Sequence, residues 1–358
     1  MWADDRIPSL LGMSLPILQA PMAGAGDHRL ALAVAGAGGL GALPCAMLTP
    51  DRIRAEVAAF RAQSDKPLNL NFFCHAAPEL DADGLAAWQQ RLAPYYREQG
   101  LDPATPAPLS NRAPFDATLC ALVEELRPEG VSFHFGLPAS DLFDRVKATG
   151  ARVLASATTV AEAVWLDSRG CDAIIAQGAE AGGHRGMFLT EDVATQIGTL
   201  SLVPQIVDAV RCPVIAAGGI ADGRGIAAAF MLGAEAVQVG TAYLFCPEAT
   251  ISPPHRKALA EGHARETALT NVFTGRPARG MVNRVMREQG FMSDAAPAFP
   301  LAGGALAPLR AATEPAGSGD FMPLWSGQSA GLCRAASAAD LTRALAADAK
   351  ALLARQTM

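Results

Sequence analysis

The 358-residue sequence lacks several features that would assign it to a class at once. No stretch has the ~18 uninterrupted apolar residues of a membrane helix. The first ten residues, MWADDRIPSL, contain two aspartates and no apolar core, so we expect no signal peptide. The net charge of −6 leaves no excess of positive charge for nucleic acid. We therefore expect a cytoplasmic protein that binds neither nucleic acid nor a membrane.

Cysteine is present but forms no motif. The seven cysteines are odd in number, scattered and without a C-x-x-C pair. This is neither a disulfide framework nor a zinc site, so we expect reduced thiols and no bound metal. The composition, 50% hydrophobic and 18% charged, is that of a globular enzyme.

Short apolar runs alternate with helical patterns along the chain, which predicts an α/β fold. Eight runs predict buried strands, at 16–20, 39–43, 68–73, 131–135, 152–156, 173–177, 213–219 and 236–241. Helical patterns lie between them, at 28–37, 50–63, 116–126, 140–149, 159–169, 200–210 and 223–232. Four residues are predicted to cap helices: Thr49, Ser140, Thr158 and Asp222.

Near-continuous apolar strands belong to sheets that are covered on both faces. Eight of them with crossover helices predict a (β/α)8 TIM barrel. A doubly wound open sheet is the alternative, but PMAGAGDHRL after the first strand does not match G-x-G-x-x-G. We predict a barrel over 1–245 with a polar insertion at 78–115. A mostly helical cap over the barrel mouth follows at 246–358, and its final helix can pack back on the barrel.

Polar side chains fall at the carboxyl ends of the predicted strands, where barrels gather their chemistry. Asn71 shares the inward face of its strand with Asn69, and we expect it to contact a ligand. His134 also faces inward and is either a satisfied structural residue or part of the substrate pocket. Phe135, next along that strand, is expected to face outward.

The sixth strand ends at Gln177 and leads directly into GAEAGGHRG. Gly182 and Gly183 would let the backbone approach a flat ligand closely. His184 would then project over that ligand. A neutral imidazole can take a proton from a carbon acid, although a solvent-exposed loop histidine is the alternative.

Two glycine-bearing loops, after the seventh and eighth strands, form the usual phosphate site of a barrel. The backbone N–H groups predicted to converge on an anion belong to Gly218, Gly219, Gly240 and Thr241. The turn after the first strand, with Ala20, Pro21 and Met22, could line the edge of an aromatic ring system. A phosphorylated, flat cofactor fits this pattern, and FMN fits best. A nicotinamide dinucleotide would want a second phosphate site and a ribose-binding acid, and neither is found.

Five motifs together resemble the nitronate monooxygenase family, formerly called 2-nitropropane dioxygenases. They are QAPMAG (19–24), LNLNFF (68–73), AQGAEAGGHRG (176–186), the run from PVIAAGG to QVGTAY (213–243) and FTGRPARGMVNR (273–284). The resemblance implies non-covalent FMN, with Met22 beside the flavin and His184 as the catalytic histidine. It implies FMN ligands at Asn71, Gln177, Gly182, Gly219, Gln238, Val239, Gly240 and Thr241.

The resemblance also implies a reaction. The substrates would be an alkyl nitronate or nitroalkane and O₂, and the products a carbonyl compound and nitrite. Two alternatives stay open: an NAD(P)H-dependent quinone or enoyl-thioester reductase of the same fold, and a non-catalytic flavin-binding barrel. The protein would be a monomer or a homodimer.

One segment departs from the family pattern. Many nitronate enzymes carry tyrosines before the APLR sequence, whereas FPLAGGALAPLR here has none. We therefore expect a small, apolar cap wall and a substrate that is bulkier or different.

Overall fold

A computed structural model describes residue 2 and residues 5–108, 112–262 and 266–356. Its barrel strands are β1 (Ile17–Gln19), β2 (Gly41–Pro44), β3 (Leu68–Phe73), β4 (Gly130–His134), β5 (Arg152–Ala157), β6 (Ala173–Gln177), β8 (Val214–Ala217) and β9 (Ala236–Val239). Three further strands, β7 (Gly183–His184), β10 (Thr267–Thr270) and β11 (Ala278–Met281), form a small separate sheet.

The helices lie between and after these strands. They are α1 (Arg6–Leu11), α2 (His28–Gly36), α3 (Pro50–Arg61), α4 (Ala82–Glu98), α5 (Ala117–Leu126), α6 (Ser140–Ala148), α7 (Val160–Asp167), α8 (Thr199–Ala209), α9 (Gly223–Met231), α10 (Pro253–Ala260), α11 (Arg284–Gln289), α12 (Ala307–Thr313) and α13 (Ala338–Gln356). None of the helices in the described residues combines the length and apolar character needed to cross a membrane.

The eight barrel strands are parallel, in the order β1-β9-β8-β6-β5-β4-β3-β2. The seam between β1 and β2 closes through a single bridge, from Leu18 to Leu40. Beside it, the buried Gln19 amide donates to the carbonyl of Ala42 at 3.0 Å and accepts from its N–H at 3.2 Å. A side chain therefore supplies hydrogen bonds that the short ladder lacks. The predicted TIM barrel is confirmed.

The amino-terminal end of the barrel is closed by α1, which the sequence analysis did not predict. The Arg6 guanidinium contacts the carboxylate of Glu235 and the carbonyl of Arg211, both just before barrel strands. Ile7 and Leu11 are buried with the aliphatic side chains of the barrel interior: Leu18, Leu40, Leu154, Ile175 and Ile215. This end of the barrel is thus a packed aliphatic core.

All eight predicted strands and all seven predicted interstrand helices are present, with ends shifted by a few residues. The caps at Thr49 and Asp222 are confirmed, since each side chain accepts from an N–H of the following turn. The other two predicted caps are wrong. Ser140 lies inside α6 rather than before it, and Thr159 caps α7 while the Thr158 hydroxyl donates to Glu162.

The 78–115 insertion contains α4, a 17-residue helix. Its Trp88 indole donates to the carbonyl of Ala302, and its Tyr96 hydroxyl donates to that of Ala305. Together with Leu92 they form a second hydrophobic core with residues that follow the barrel, among them Val272, Met286, Leu309 and Phe321. The insertion is therefore packed against the segment after residue 246.

The segment after the barrel mixes helices with the strand pair β10–β11, whose second strand also pairs with β7 of the barrel loop. Its last helix, α13, packs on α2 and α9. The Tyr243 hydroxyl hydrogen-bonds that of Thr342 at 2.7 Å, which ties α13 to the end of the barrel. The carboxyl ends of the strands consequently lie beneath this segment, with a cavity between them.

Candidate active site

The cavity at the carboxyl ends of the strands collects the residues that the sequence predicts. Its lining includes Ala20, Pro21, Met22, Asn71, His134, Gln177, Gly182, His184, Gly218, Gly219, Gln238, Gly240 and Thr241. Val239 is the exception among the predicted site residues. Its side chain is fully buried in the core between the barrel and its helices, and only neighbours on its strand reach the cavity.

The two glycine-bearing loops leave backbone donors unused. Among the described residues, no acceptor takes the N–H groups of Gly218, Gly219, Gly240 or Thr241. The φ angles of Gly218 and Gly219 are +110° and +72°, a region that side chains disfavour. A Cβ on Gly240 would lie 3.3 Å from that of Ala20, which brings the first and last strand ends together. These four residues are half-buried and line the cavity, so their N–H groups are free to contact an anion there.

Asn71 is held by Ser132 on the neighbouring strand. Its amide nitrogen donates to the Ser132 hydroxyl at 3.0 Å and to the Ser132 carbonyl at 3.1 Å. Asn69 donates to the same hydroxyl at 2.8 Å, deeper in the barrel. The Asn71 side chain is therefore fixed at the cavity wall before any ligand binds.

The side chain of Gln177 hydrogen-bonds the loop that follows it. Its amide nitrogen donates to the carbonyl of His184 at 3.0 Å, and its amide oxygen accepts from the N–H of Gly186 at 2.7 Å. The fully buried Arg185 donates to the Gln177 carbonyl at 2.7 Å. The Gln177 side chain thus orients the loop of His184, and this contact uses both ends of its amide.

Gly182 lacks room for a side chain because another part of the chain crosses it. A Cβ there would lie 2.5 Å from the backbone nitrogen of Gly327 and 2.6 Å from the Ser326 carbonyl carbon. Gly183 differs: its φ is +73°, and a Cβ would meet nothing within 4 Å. Of the two glycines, only Gly183 faces open space.

His184 lies at the centre of the site. Its Nε2 is 2.9 Å from the hydroxyl oxygen of Thr274, and its Nδ1 has no hydrogen bond to a described residue. Burial, followed by the charge of Arg112, lowers the pKa of His184 well below its usual range. The imidazole is therefore neutral at pH 7, and one of its two ring nitrogens carries no proton.

His134 lines the cavity but is fully engaged. Its Nδ1 is 3.0 Å from the Ser156 hydroxyl, and its Nε2 is 3.3 Å from the carbonyl of His184. Burial is the main cause that lowers the pKa of His134 to about 3. His134 supports the loop of His184 and contributes a neutral wall to the cavity.

The wall around His184 is aromatic rather than small. The rings of Phe299 and Trp325 have centroids 5.3 and 5.5 Å from that of His184. Phe135 also joins this wall, 5.9 Å from His184, so the expectation that it faces outward is wrong. Its φ of 70° is the reason, because a positive φ at the strand end breaks the alternation of side chains.

Cationic groups surround the aromatic wall. Arg112, at the end of the insertion, lines the cavity, and the Arg276 guanidinium lies 4.2 Å from the ring centre of Phe135. Burial lowers the pKa of both arginines. Among the described residues that line the cavity, Glu180 is the only carboxylate, and it accepts from the N–H and hydroxyl of Thr199. The site therefore favours an anionic occupant.

Comparisons with known proteins agree on one family. The family model described as nitronate monooxygenase matches residues 5–348. A nitronate monooxygenase of Pseudomonas aeruginosa is 43% identical over 350 residues, which is 95% of this chain and 98% of the relative. The chain belongs to the nitronate monooxygenase family. Members of this family are flavin enzymes, so the protein is an oxidoreductase of this kind.

Solved structures support the same assignment. A nitroalkane oxidase from Streptomyces ansochromogenes superposes with a TM-score of 0.89 at 37% identity, covering 99% of this chain and 100% of the other. FabK from Thermotoga maritima superposes with a TM-score of 0.72 at 26% identity, covering 98% of each chain. Both cover the barrel together with the segment that follows it.

Several residues of the site were missed by the sequence analysis. Thr274 and Arg276 lie in the motif FTGRPARG, which was recognised without a role for either side chain. Trp325 and the Ser326–Gly327 crossing come from irregular chain with no motif at all. The motif could have identified Thr274, whereas no local pattern identifies Trp325.

Proposed function

We propose that the protein is an FMN-dependent oxidase of alkyl nitronates. It would convert a nitronate and O₂ to a carbonyl compound and nitrite, and would accept a neutral nitroalkane once His184 has removed its proton. The family supports flavin chemistry on nitro compounds. The placement of His184 is the single observation that carries the proposal.

The residues present fit FMN. The four free N–H groups of Gly218, Gly219, Gly240 and Thr241 match the oxygens of one phosphate. The Gln238 side chain lines the cavity and makes no hydrogen bond to a described residue, so its amide is free for the polar part of the cofactor. Met22 and Ala20 offer an apolar edge. When bound, FMN supplies the electron acceptor for oxidation of the nitronate.

His184 has the properties of a base toward a carbon acid. It is neutral, its ring is fixed by Thr274 and the aromatic wall, and it lines the cavity. Removing a proton from a nitroalkane creates an anion beside the ring. Arg112 and Arg276 stabilise negative charge there, which favours the nitronate over its neutral parent.

The test is release of nitrite under air. Protein reconstituted with FMN is assayed with propionate 3-nitronate and with a nitroalkane. His184→Asn should lower turnover of the neutral nitroalkane by about 10²- to 10⁴-fold and that of the preformed nitronate much less. Equal losses on both substrates would show that His184 is not the base.

The same preparation separates this function from a reductase. NADH added without oxygen should leave the flavin oxidised on the timescale of turnover. Rapid bleaching by NADH, together with no nitrite from either substrate, would overturn the proposal in favour of an NAD(P)H-dependent reductase.

A further inference from the structure

The motif FTGRPARG (273–280) does more than fix the ring of His184 and supply the charge of Arg276. It joins β10 to β11 through a tight turn, in which the N–H groups of Thr274 and Gly275 donate to the carbonyl of Asn271. Strand β11 then pairs with β7, so that Ala278 lies opposite His184. The turn is therefore fixed relative to the backbone of His184.

Glycine at 275 lets this turn sit close to the aromatic wall. Its φ is +88°, and a Cβ there would overlap the carbonyl oxygen of Pro297 and lie 2.6 Å from the nitrogen of Phe299. The next residue, Arg276, donates to the carbonyl of Met187 at 2.7 Å, beyond the other end of the His184 loop. The motif therefore contacts the loop of His184 at both ends, through strand pairing with β7 and through Arg276.

Thr274 is the point of contact between the motif and the imidazole. Its side chain is 1% exposed, and its hydroxyl oxygen lies 2.9 Å from Nε2 of His184. The same hydroxyl lies 3.4 Å from the carbonyl oxygen of Arg276, which it can reach only as a donor. A hydroxyl has one proton, so donation to that carbonyl leaves its lone pairs to accept from Nε2–H.

This arrangement also suits the ring after it gains a proton. An imidazolium donates from both nitrogens, and Nε2–H can go on donating to Thr274 without any rotation of the hydroxyl. The opposite arrangement, with Thr274 donating to Nε2, would place two protons face to face once Nε2 became protonated. Nδ1 has no hydrogen-bond partner among the described residues, and it is not fully buried. It is therefore open to the cavity that His184 lines.

We propose that Thr274 is a positioning residue that holds His184 as its Nε2–H tautomer and leaves Nδ1 as the atom that takes the substrate proton. This inference rests on the proposed function for the identity of the substrate. The assignment of the tautomer rests on the geometry of the tight turn between β10 and β11. The hydroxyl acts through His184 and needs no contact with substrate or cofactor.

The kinetic test removes the hydroxyl while keeping the shape. Thr274→Val should lower kcat/KM for a neutral nitroalkane by about 10- to 100-fold, the size of one hydrogen bond to a charged group. Oxidation of a preformed nitronate should change less than about threefold, because it needs no proton transfer. Without an acceptor for Nε2–H, the protonated ring is less stable, so the acid limb of the nitroalkane profile should move to lower pH.

Two variants control this result. Thr274→Ser keeps the hydroxyl and should recover most of the nitroalkane activity. Thr313→Val makes the same change at another buried threonine, on α12, whose hydroxyl donates to the Leu309 carbonyl away from the cavity. It should leave both activities unchanged. Equal losses of nitroalkane and nitronate turnover in Thr274→Val, or failure of Thr274→Ser to recover activity, would overturn the inference.

A second readout does not depend on activity. Nitrogen NMR of protein labelled at its six histidines, with the His184 signals assigned by their loss in His184→Asn, reports which ring nitrogen carries the proton. Wild type should show protonated Nε2 and unprotonated Nδ1 at pH 7, and Thr274→Val should show a mixture. A protonated Nδ1 in wild type would overturn the inference. If wild type releases no nitrite but has the expected tautomer, the proposed function fails and the role of Thr274 stands.

Discussion

The two ends of the barrel interior differ in polarity. At the amino-terminal end, α1 covers an interior of aliphatic side chains, including Leu154 and Ile215, that have no polar atoms to satisfy. At the carboxyl-terminal end, the interior carries amides, hydroxyls and imidazoles, together with backbone N–H groups that lack a partner among the described residues. The interior of the amino-terminal end is filled by its own side chains, whereas the carboxyl-terminal end leaves polar groups free to contact a ligand.

The difference separates stability from chemistry along one axis. Aliphatic packing at the amino-terminal end contributes free energy of folding in proportion to the area buried. At the carboxyl-terminal end, buried histidines, positive φ angles and unpaired N–H groups lower the stability of the fold. Such features are typical of functional sites. Substitutions at the two ends should therefore affect different measurements.

The largest effect on stability is expected at the amino-terminal end. Leu154→Ala removes a fully buried side chain from the interior that α1 covers. It should lower the free energy of unfolding by about 2–5 kcal/mol, through lost burial and the cavity left behind. Thermal or urea unfolding measures this loss, and kcat of the folded protein should stay within about twofold of wild type.

Leu200→Ala is the matched control for this change. Leu200 lies on α8 with 68% of its surface exposed, so the same truncation should alter stability by less than about 0.5 kcal/mol. A large loss of kcat in Leu154→Ala at a temperature where it is folded would break the separation between the two ends.

The sequence predicted the barrel because its strands are short apolar runs bounded by turn residues. It placed the donors of Gly218 and Gly240 correctly at the mouth, since both follow strands directly. Side-chain alternation along β9 also explains why Val239 does not line the cavity. Gln238 and Gly240 share the inward direction, so the residue between them points to the helices. The FMN contact predicted for Val239 comes from the family resemblance alone.

Other features depend on contacts that no local pattern records. Thr158 and Thr159 are adjacent and chemically equal as caps, and the choice between them is made by Glu162, which binds the Thr158 hydroxyl. Phe135 turns inward because of its backbone conformation. Trp325 contacts His184 from a segment of irregular chain about 140 residues further along the sequence. Long-range packing of this kind is settled only by the whole fold.

Stability at the carboxyl-terminal end should also depend on pH, through a buried histidine. Burial is the main cause that lowers the pKa of His255, at the mouth, to about 4. Unfolding restores its ordinary pKa near 6.5, so the unfolded chain binds a proton first as the pH falls, and stability decreases between about pH 6.5 and 4. His255→Gln removes this site, and Gln can still donate to the carbonyl of Trp325 as His255 does.

The variant should therefore lose about 1–2 kcal/mol less than wild type when the pH falls from 7 to 5. Urea unfolding at both pH values measures this difference. Leu154→Ala, at the other end of the barrel, should show the same pH dependence as wild type. Identical pH dependence in His255→Gln and wild type would contradict a buried, neutral His255.

The smallest effect concerns backbone strain at the mouth. Gly183 has a φ of +73° with nothing within 4 Å of an added Cβ, so alanine there meets strain but no clash. Gly183→Ala should destabilise the protein by about 1 kcal/mol, the cost of a left-handed conformation for a residue with a side chain.

Gly36→Ala is the same change at the exposed end of α2, where φ is not positive and space is open. It should stabilise by up to about 1 kcal/mol, because alanine loses less entropy in a helix. Opposite signs in the two unfolding midpoints would locate the strain at the mouth, whereas a stabilising Gly183→Ala would show that the loop of His184 is relaxed.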